Sequence, residues 1–173
     1  MMYYLFPKYL YDKNLRLRPL RISDGHFMTA GLTDETIVRA CGMSKPPAVS
    51  WVSLMWWVRK TYPLAFCVKL QAKRIGFLGL YNLHLGKSAA LSLAIFDEAY
   101  RNRGYGTRVL KLFMQYMQQC SLLQHLAVDV RQDNQAALSF WKKSGFSKVY
   151  TTDGVLTMTR ACSDLSAADG AGN

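Results

Sequence analysis

"LSLAIFDEAYRNRGYGTRVLKLFMQYM", residues 91–117, passes from an alternating apolar run, through a basic glycine-punctuated turn, into a helical pattern. Residues 101–111 alone carry two glycines and four positive charges. Beyond the turn, Val109, Phe113, Met117 and Cys120 recur at helical spacing with Leu110 and Met114 beside them, the buried face of an amphipathic helix. A helix start presents N–H groups without intrahelical acceptors and the positive end of the peptide dipole, so a tight basic turn there suits a phosphate. Glycine serves any sharp bend equally well. The stretch therefore predicts strand, turn and helix, and the rest of the chain must say what the turn holds.

Upstream, "LRLRPL" (15–20) alternates like a first strand, and Ser23 is placed to cap a helix in "SDGHFMTAGL". "DETIVRAC" extends or restarts that helix until Pro46 and Pro47 break it. "WVSLMWWVRK" reads as a further helix, with Trp51, Leu54, Met55, Trp57 and Val58 on one face and Trp56 on another. "LAFCVKL" (64–70) and "RIGFLGLYNL" (74–83) are strands joined by the polar turn "QAK", and "ALSLAIF" (90–96) is a fourth. Downstream come the strand "HLAVDV" and the helix "NQAALSFWKKSGF", capped by Asn134 or Asp133 and closed by a left-handed Gly145. A hairpin around Asp153-Gly154 ends the pattern. The order predicts one mixed α/β domain over residues 1–162.

Half the residues are hydrophobic, enough for a proper core in 173 residues. The small, polar stretch 163–173 is expected to be a disordered, dispensable tail. No apolar run approaches membrane-spanning length, and Lys8, Asp12 and Lys13 interrupt any signal-peptide pattern. Cys41, Cys67, Cys120 and Cys162 lie far apart, with no CxxC and no His at ligand spacing, so they read as reduced thiols of a cytoplasmic protein without a metal site. The net charge of +11 is uneven: no acidic residue falls between Glu35 and Asp97, or from Ala99 to Val128. That balance fits general surface solubility as well as an anionic ligand, an acidic partner or nucleic acid, and charge does not choose among them.

The run 91–117, with its turn Arg101-Asn102-Arg103-Gly104-Tyr105-Gly106, resembles the acetyl-CoA-binding segment of the GNAT acyltransferase superfamily, R/Q-x-x-G-x-G/A. "DVRQDNQAALSFWKKSGF", 129–146, resembles that superfamily's second motif, with Asn134, Ala137 and Gly145-Phe146 in step. The two motifs stand in the right order between the right strands. The opening "LRLRPLRISDGHFM" and the phrase "RIGFLGLYNL" are most similar to the RimI/RimJ/RimL-like branch. The resemblance implies a mostly antiparallel central sheet of about seven strands flanked by four helices.

It also implies a direct-transfer N-acetyltransferase that uses acetyl-CoA as co-substrate, with no metal. Main-chain N–H groups from Asn102, Arg103, Gly104, Tyr105, Gly106 and Thr107 would meet the pyrophosphate, with Arg101, Arg103 and Arg108 adding charge where they do not face solvent, and Ala94, Ile95 and Phe96 would meet the pantetheine arm. Asn134 would add a side-chain contact, and a strand N–H would hold the oxyanion. Asp129 stands where the branch places a general base, five residues before Asn134. A carboxylate near pKa ~4 needs burial or a relaying water to take a proton from an ammonium. Trp141 stands where the branch usually has an acidic Tyr, which leaves that role vacant or moved to Tyr105, Tyr150 or water. The implied acceptor is an amine on a protein N-terminus, of the ribosomal-protein kind, or on a small molecule. The rival class is a non-catalytic acyl-CoA sensor or an RNA- or ribosome-binding adaptor, and the chain would work without a membrane as monomer or homodimer.

Overall fold

The computed structural model describes residues 9–40 and 65–163. The Trp-rich segment 51–62, the Pro46-Pro47 break and all of the tail beyond Ser163 lie outside them. Eight strands form a single sheet: β1 (Leu10–Asp12), β2 (Leu15–Pro19), β3 (Ala65–Leu70), β4 (Lys73–His84), β5 (Ser88–Ile95), β6 (His125–Arg131), β7 (Ser147–Thr152) and β8 (Val155–Ala161). Four α-helices accompany them among the described residues: α1 (Gly25–Thr33), α2 (Glu35–Ala40), α3 (Tyr105–Cys120) and α4 (Gln135–Lys143). None of these is long and apolar enough to cross a membrane.

The sheet order is β1-β2-β3-β4-β5-β6-β8-β7, and every neighbouring pair is antiparallel except β5 with β6. The strand beyond the expected seven is β1, a three-residue edge strand turned back onto β2 at Lys13-Asn14, with Lys13 at φ 52°. Its brevity hides any period-2 signal. The closing hairpin turns at Asp153 and Gly154, both left-handed, as the Asp-Gly pair demands.

Successive strand residues point to opposite faces, and both faces of the central strands are buried. On one face, α3 sets Val109, Phe113 and Met117, all fully buried, against Phe66, Leu78 and Leu126. On the other, Met28 of α1 and Ile37 of α2 close over Leu20, Cys67, Phe77 and Phe96. Each fully buried Leu, Met or Phe contributes about 1.5–3 kcal/mol. The Cys67 and Cys162 thiols are sealed in these cores, and burial pushes both up to about 11.

The start of α1 differs from the sequence expectation. Ser23 is exposed and caps nothing; a short 3-10 turn, Ile22–Asp24, comes first, and Asp24 stands at the helix boundary. Asp24 serves a stronger demand, because Arg18 is buried on β2 and needs a counter-charge. The two form a two-pronged pair, Nη1–Oδ2 at 2.7 Å and Nη2–Oδ1 at 2.6 Å. The Arg21 N–H donates to the same carboxylate at 2.8 Å and Arg74 reaches it at 3.3 Å. Burial pushes this carboxyl up, but the hydrogen bonds from Arg18, Arg21 and Arg74 outweigh it and hold Asp24 below the ordinary carboxylate value. The cluster fixes α1 to β2 and β4.

Breaking a buried pair on one side costs about 3–5 kcal/mol, so Asp24→Asn should lower urea stability by that amount at neutral pH. A carboxyl with a depressed folded pKa stabilises fully above the unfolded value of ~4 and loses that contribution as pH falls through the folded value. The gap between wild type and Asp24→Asn should therefore narrow in acid. A gap that stays constant with pH would show that the charge is not what matters.

Candidate functional site

The parallel pair β5–β6 is short. It runs only from Ser88↔His125 to Ala90↔Ala127, although β5 continues to Ile95 and β6 to Arg131. Over those remaining residues β5 stays laddered to β4, with Ile95 opposite Gly76, and β6 to β8, with Arg131 opposite Val155. The sheet opens between them, and a cleft of about 1100 Å³ occupies the opening. Leu93, Ala94 and Ile95 form one wall; Arg131, Asn134, Ala137, Phe140 and Trp141 form the other; Gly104, Gly106 and Thr107 close one end.

The direction of the backbone groups on β5 follows from alternation. The Lys87 carbonyl accepts from His125 N–H at 3.0 Å, toward β6, and Phe96 N–H donates to the Ile75 carbonyl at 2.8 Å, toward β4. Odd-numbered residues of β5 thus address β6 and even-numbered ones β4. Where β6 has departed, both main-chain groups of Leu93 and the N–H of Ile95 face the cleft as an unpaired strand edge, the Ile95 carbonyl being taken by Arg101 Nε. Ala94 lines the same wall, but its backbone belongs to β4. Leu93 is therefore a site residue that the sequence reading missed, because which backbone groups face the seam depends on the register of β5 with β4.

Next to this edge sits the start of α3. Gly104, at φ 78°, is its N-cap, Asn102 at φ 56° is left-handed as well, and no acidic residue lies in the first turn. The first intrahelical bond is Arg108 N–H to Gly104 C=O at 3.1 Å. The N–H groups of Tyr105, Gly106 and Thr107 precede it and have no helical acceptor. Space beside Gly104 is open, whereas a Cβ at Gly106 would sit 3.5 Å from the Phe140 ring across the cleft.

The arginines of this turn divide their labour. Arg103 is exposed, and no described residue pairs with it. Arg108 donates to Asp12 Oδ2 at 2.7 Å, to the Asp12 carbonyl at 3.0 Å and to Asn14 at 3.2 Å, pinning α3 to the β1–β2 hairpin. Arg101 turns back to β5, donating to the carbonyls of Ile95 at 2.9 Å and Phe96 at 2.7 Å. The charge of the turn is thus spent partly on architecture.

On the opposite wall, Asn134 caps α4, its Oδ1 accepting from Ala137 N–H at 3.0 Å, which resolves the choice left between Asn134 and Asp133. Asp133 instead grips Arg131 through two contacts, at 3.0 and 2.8 Å. Trp141 is buried, with its ring edge-on to Phe140 and Phe146. Asp129 is exposed, on the same face of β6 as Arg131, and accepts from Thr157 Oγ1 at 2.7 Å. It does not line the cleft itself. Tyr150 is more than half exposed on β7; Tyr100, which the sequence reading passed over, lines the cleft and meets Tyr105 edge-on at 5.8 Å. Thr36 and Ile37 of α2 complete the rim. No group of three His, Cys, Asp or Glu side chains among the described residues could hold a metal ion.

Residues 14–147 match the family model of the acetyltransferase (GNAT) domain. Among solved structures, the chain is similar to spermidine N-acetyltransferase from Vibrio cholerae in complex with CoA and spermine, with TM-score 0.73 and 19% identity over 88% of this chain and 98% of that one. RimL, a ribosomal L7/L12 alpha-N-protein acetyltransferase in complex with coenzyme A, gives TM-score 0.72 and 16% identity over 90% and 99%. The aminoglycoside acetyltransferase AAC(6')-Ib, also with coenzyme A, gives 0.69 and 17% over 85% and 94%. No curated protein matches the sequence.

Gly104 separates the two demands on the turn. Gly104→Ala should cost about 1–2 kcal/mol for its left-handed φ and retain measurable acetyl-CoA affinity. Gly104→Glu should abolish binding by bringing a carboxylate to the unpaired N–H groups, while circular dichroism still reports a folded protein. Undiminished calorimetric affinity in a folded Gly104→Glu protein would remove the helix start from the site.

Proposed function

The chain belongs to the GNAT acetyltransferase family and is an acetyl-CoA-dependent acyltransferase; from that premise we propose that it transfers acetyl directly to the primary amine of a neutral or acidic acceptor, a protein N-terminus being the best fit. The observation that carries this reading is the meeting of an unpaired strand edge and an unpaired helix start in one cleft. The helix start suits the pyrophosphate and the edge suits the amides of the pantetheine arm, which pair with it as an added strand would.

In this reading the Ile95 N–H, unpaired at the edge, points to where the thioester oxygen gains charge and donates a hydrogen bond to it. The acceptor amine attacks in its neutral form. No cysteine among the described residues lines the cleft, which favours direct attack over a cysteinyl intermediate. Asp129 is exposed and outside the cleft lining, so the form of base catalysis open to it runs through water from the face of β6 that also carries Arg131.

The acceptor preference rests on charge. Asp133 is the one carboxylate among the described residues lining the cleft, and Arg131 already engages it. A polyamine needs carboxylates to hold its cationic groups, and the described residues of this rim provide none to spare.

Thiol release from acetyl-CoA, measured against peptides with free N-termini, spermidine, amino acids and an aminoglycoside, tests the reading. The peptide should exceed spermidine in kcat/KM by about tenfold or more at physiological salt, a margin of roughly 1.4 kcal/mol. Spermidine turned over as efficiently as the peptide would overturn it. Asp129→Asn should lower kcat by about 10²-fold and leave acetyl-CoA affinity nearly unchanged. Full activity of that variant across the pH range would place the base in bulk solvent.

A further inference from the structure

We propose that Arg101 is a positioning residue that sets how far the pantetheine arm runs along β5, by occupying the last carbonyl of the open strand edge. This rests on the reading that the arm pairs with that edge. A basic residue opening a phosphate-binding turn invites assignment to the phosphates, but the side chain is committed elsewhere. Its Nε donates to Ile95 C=O at 2.9 Å and its Nη2 to Phe96 C=O at 2.7 Å, with the side chain 20% exposed. Its Nη1 contact with Glu98, at 3.1 Å, adds little because Glu98 is 75% exposed.

The parity of β5 gives this fork its meaning. Ile95 is the last residue of the strand, and its main-chain groups face the cleft. With its carbonyl engaged by Arg101, the edge that remains consists of both Leu93 groups and the Ile95 N–H. A strand-like ligand can therefore pair with Leu93 and end on a donor, Ile95 N–H. It gains no second acceptor that would draw it one repeat further. A slip of one pairing repeat, two residues, would carry the arm about 6.6 Å along the edge, far outside the tolerance of a reacting geometry. The same guanidinium is carried by the residue just before the left-handed Asn102 and three before the left-handed Gly104, so one side chain ties the glycine turn to the strand end at fixed spacing. Phe96, the other acceptor, is braced on its far side, where its ring packs so closely on α1 that a Cβ at Gly31 would run into it. Two planar prongs are needed for this role, and lysine has only a single point of charge.

The test compares acetyl-CoA with adenosine 5′-diphosphate 3′-phosphate, the nucleotide half of coenzyme A, which ends before the arm. Calorimetry is run on the full-length wild type, Arg101→Lys and Arg101→Gln, with melting curves taken first. Arg101→Lys keeps the charge and loses the fork. It should bind the nucleotide half within about twofold of wild type and acetyl-CoA about tenfold more weakly, and Arg101→Gln should follow it. Equal losses for both ligands would make Arg101 a phosphate or turn residue, and wild-type acetyl-CoA affinity in Arg101→Lys would make the fork irrelevant. Either result overturns the proposal, as does failure of both variants to fold, which would make Arg101 a residue of the fold. If wild type itself binds acetyl-CoA no more tightly than the nucleotide half, strand pairing by the arm fails before any variant is measured.

Discussion

Two adjacent strands cannot both keep complete ladders on their outer sides and remain paired to each other when those outer partners diverge. β5 is held to β4 from Ser88 to Ile95, and β6 to β8 from His125 to Arg131. Antiparallel ladders are at least as strong per residue as parallel ones. The single parallel seam is therefore where the sheet gives way. Opening it costs the hydrogen bonds of a few residues. It leaves polar main-chain groups facing a cleft, which only water or a ligand can then satisfy. Because only a 3-10 turn, Glu98–Tyr100, and the glycine turn separate β5 from α3, the helix start lies at the same end as the open edge. The connection order alone thus brings a strand-pairing surface and an anion-binding surface together.

Charge in this protein is deployed more for geometry than for potential. Of the basic residues at the turn, Arg101 and Arg108 hold β5 and the β1–β2 hairpin in place, and Arg103 is the one directed to solvent. On the far side, Arg18 and Arg74 converge on Asp24 and fix the position of α1, whose partner α2 supplies the rim residues Thr36 and Ile37. A net charge of +11 therefore overstates the positive field at the site. What the helix start offers a phosphate is mainly its N–H groups and dipole, which cost no buried charge.

Much of this is legible in the sequence. The glycine turn, the α3 stripe, the Asn134 cap and the Asp153-Gly154 hairpin are local codes, in which backbone preference and period are written in neighbouring residues. β1 was not legible, because three residues carry no period. The cap at Ser23 misled because Asp24 answers to Arg18, six positions earlier, through a contact that only the packed sheet creates. The direction of the backbone groups on β5 was obscured for a similar reason. Side-chain alternation tells which face a residue occupies. The direction of its N–H depends on the register with β4, and that is set by a hairpin whose ladder shifts between Tyr81 and His84.

Trp141 shows how a packing demand and a chemical one can meet at a single position. Its ring is braced edge-on by Phe140 at 4.9 Å and Phe146 at 5.0 Å, so it joins α4 to the segment entering β7 while forming part of the cleft wall. A phenol at this place could hand a proton to a leaving thiolate, and an indole cannot. The demand is slight, because a thiol of pKa ~8.5 is a good leaving group without assistance. In the proposed reaction an apolar wall would have its own use: it would lower the local dielectric and strengthen each hydrogen bond aimed at the developing charge, that of the Ile95 N–H included. In the proposed reaction an indole at this position would reinforce the oxyanion donor on the opposite wall, and transfer would lean on the strand edge rather than on a proton donor.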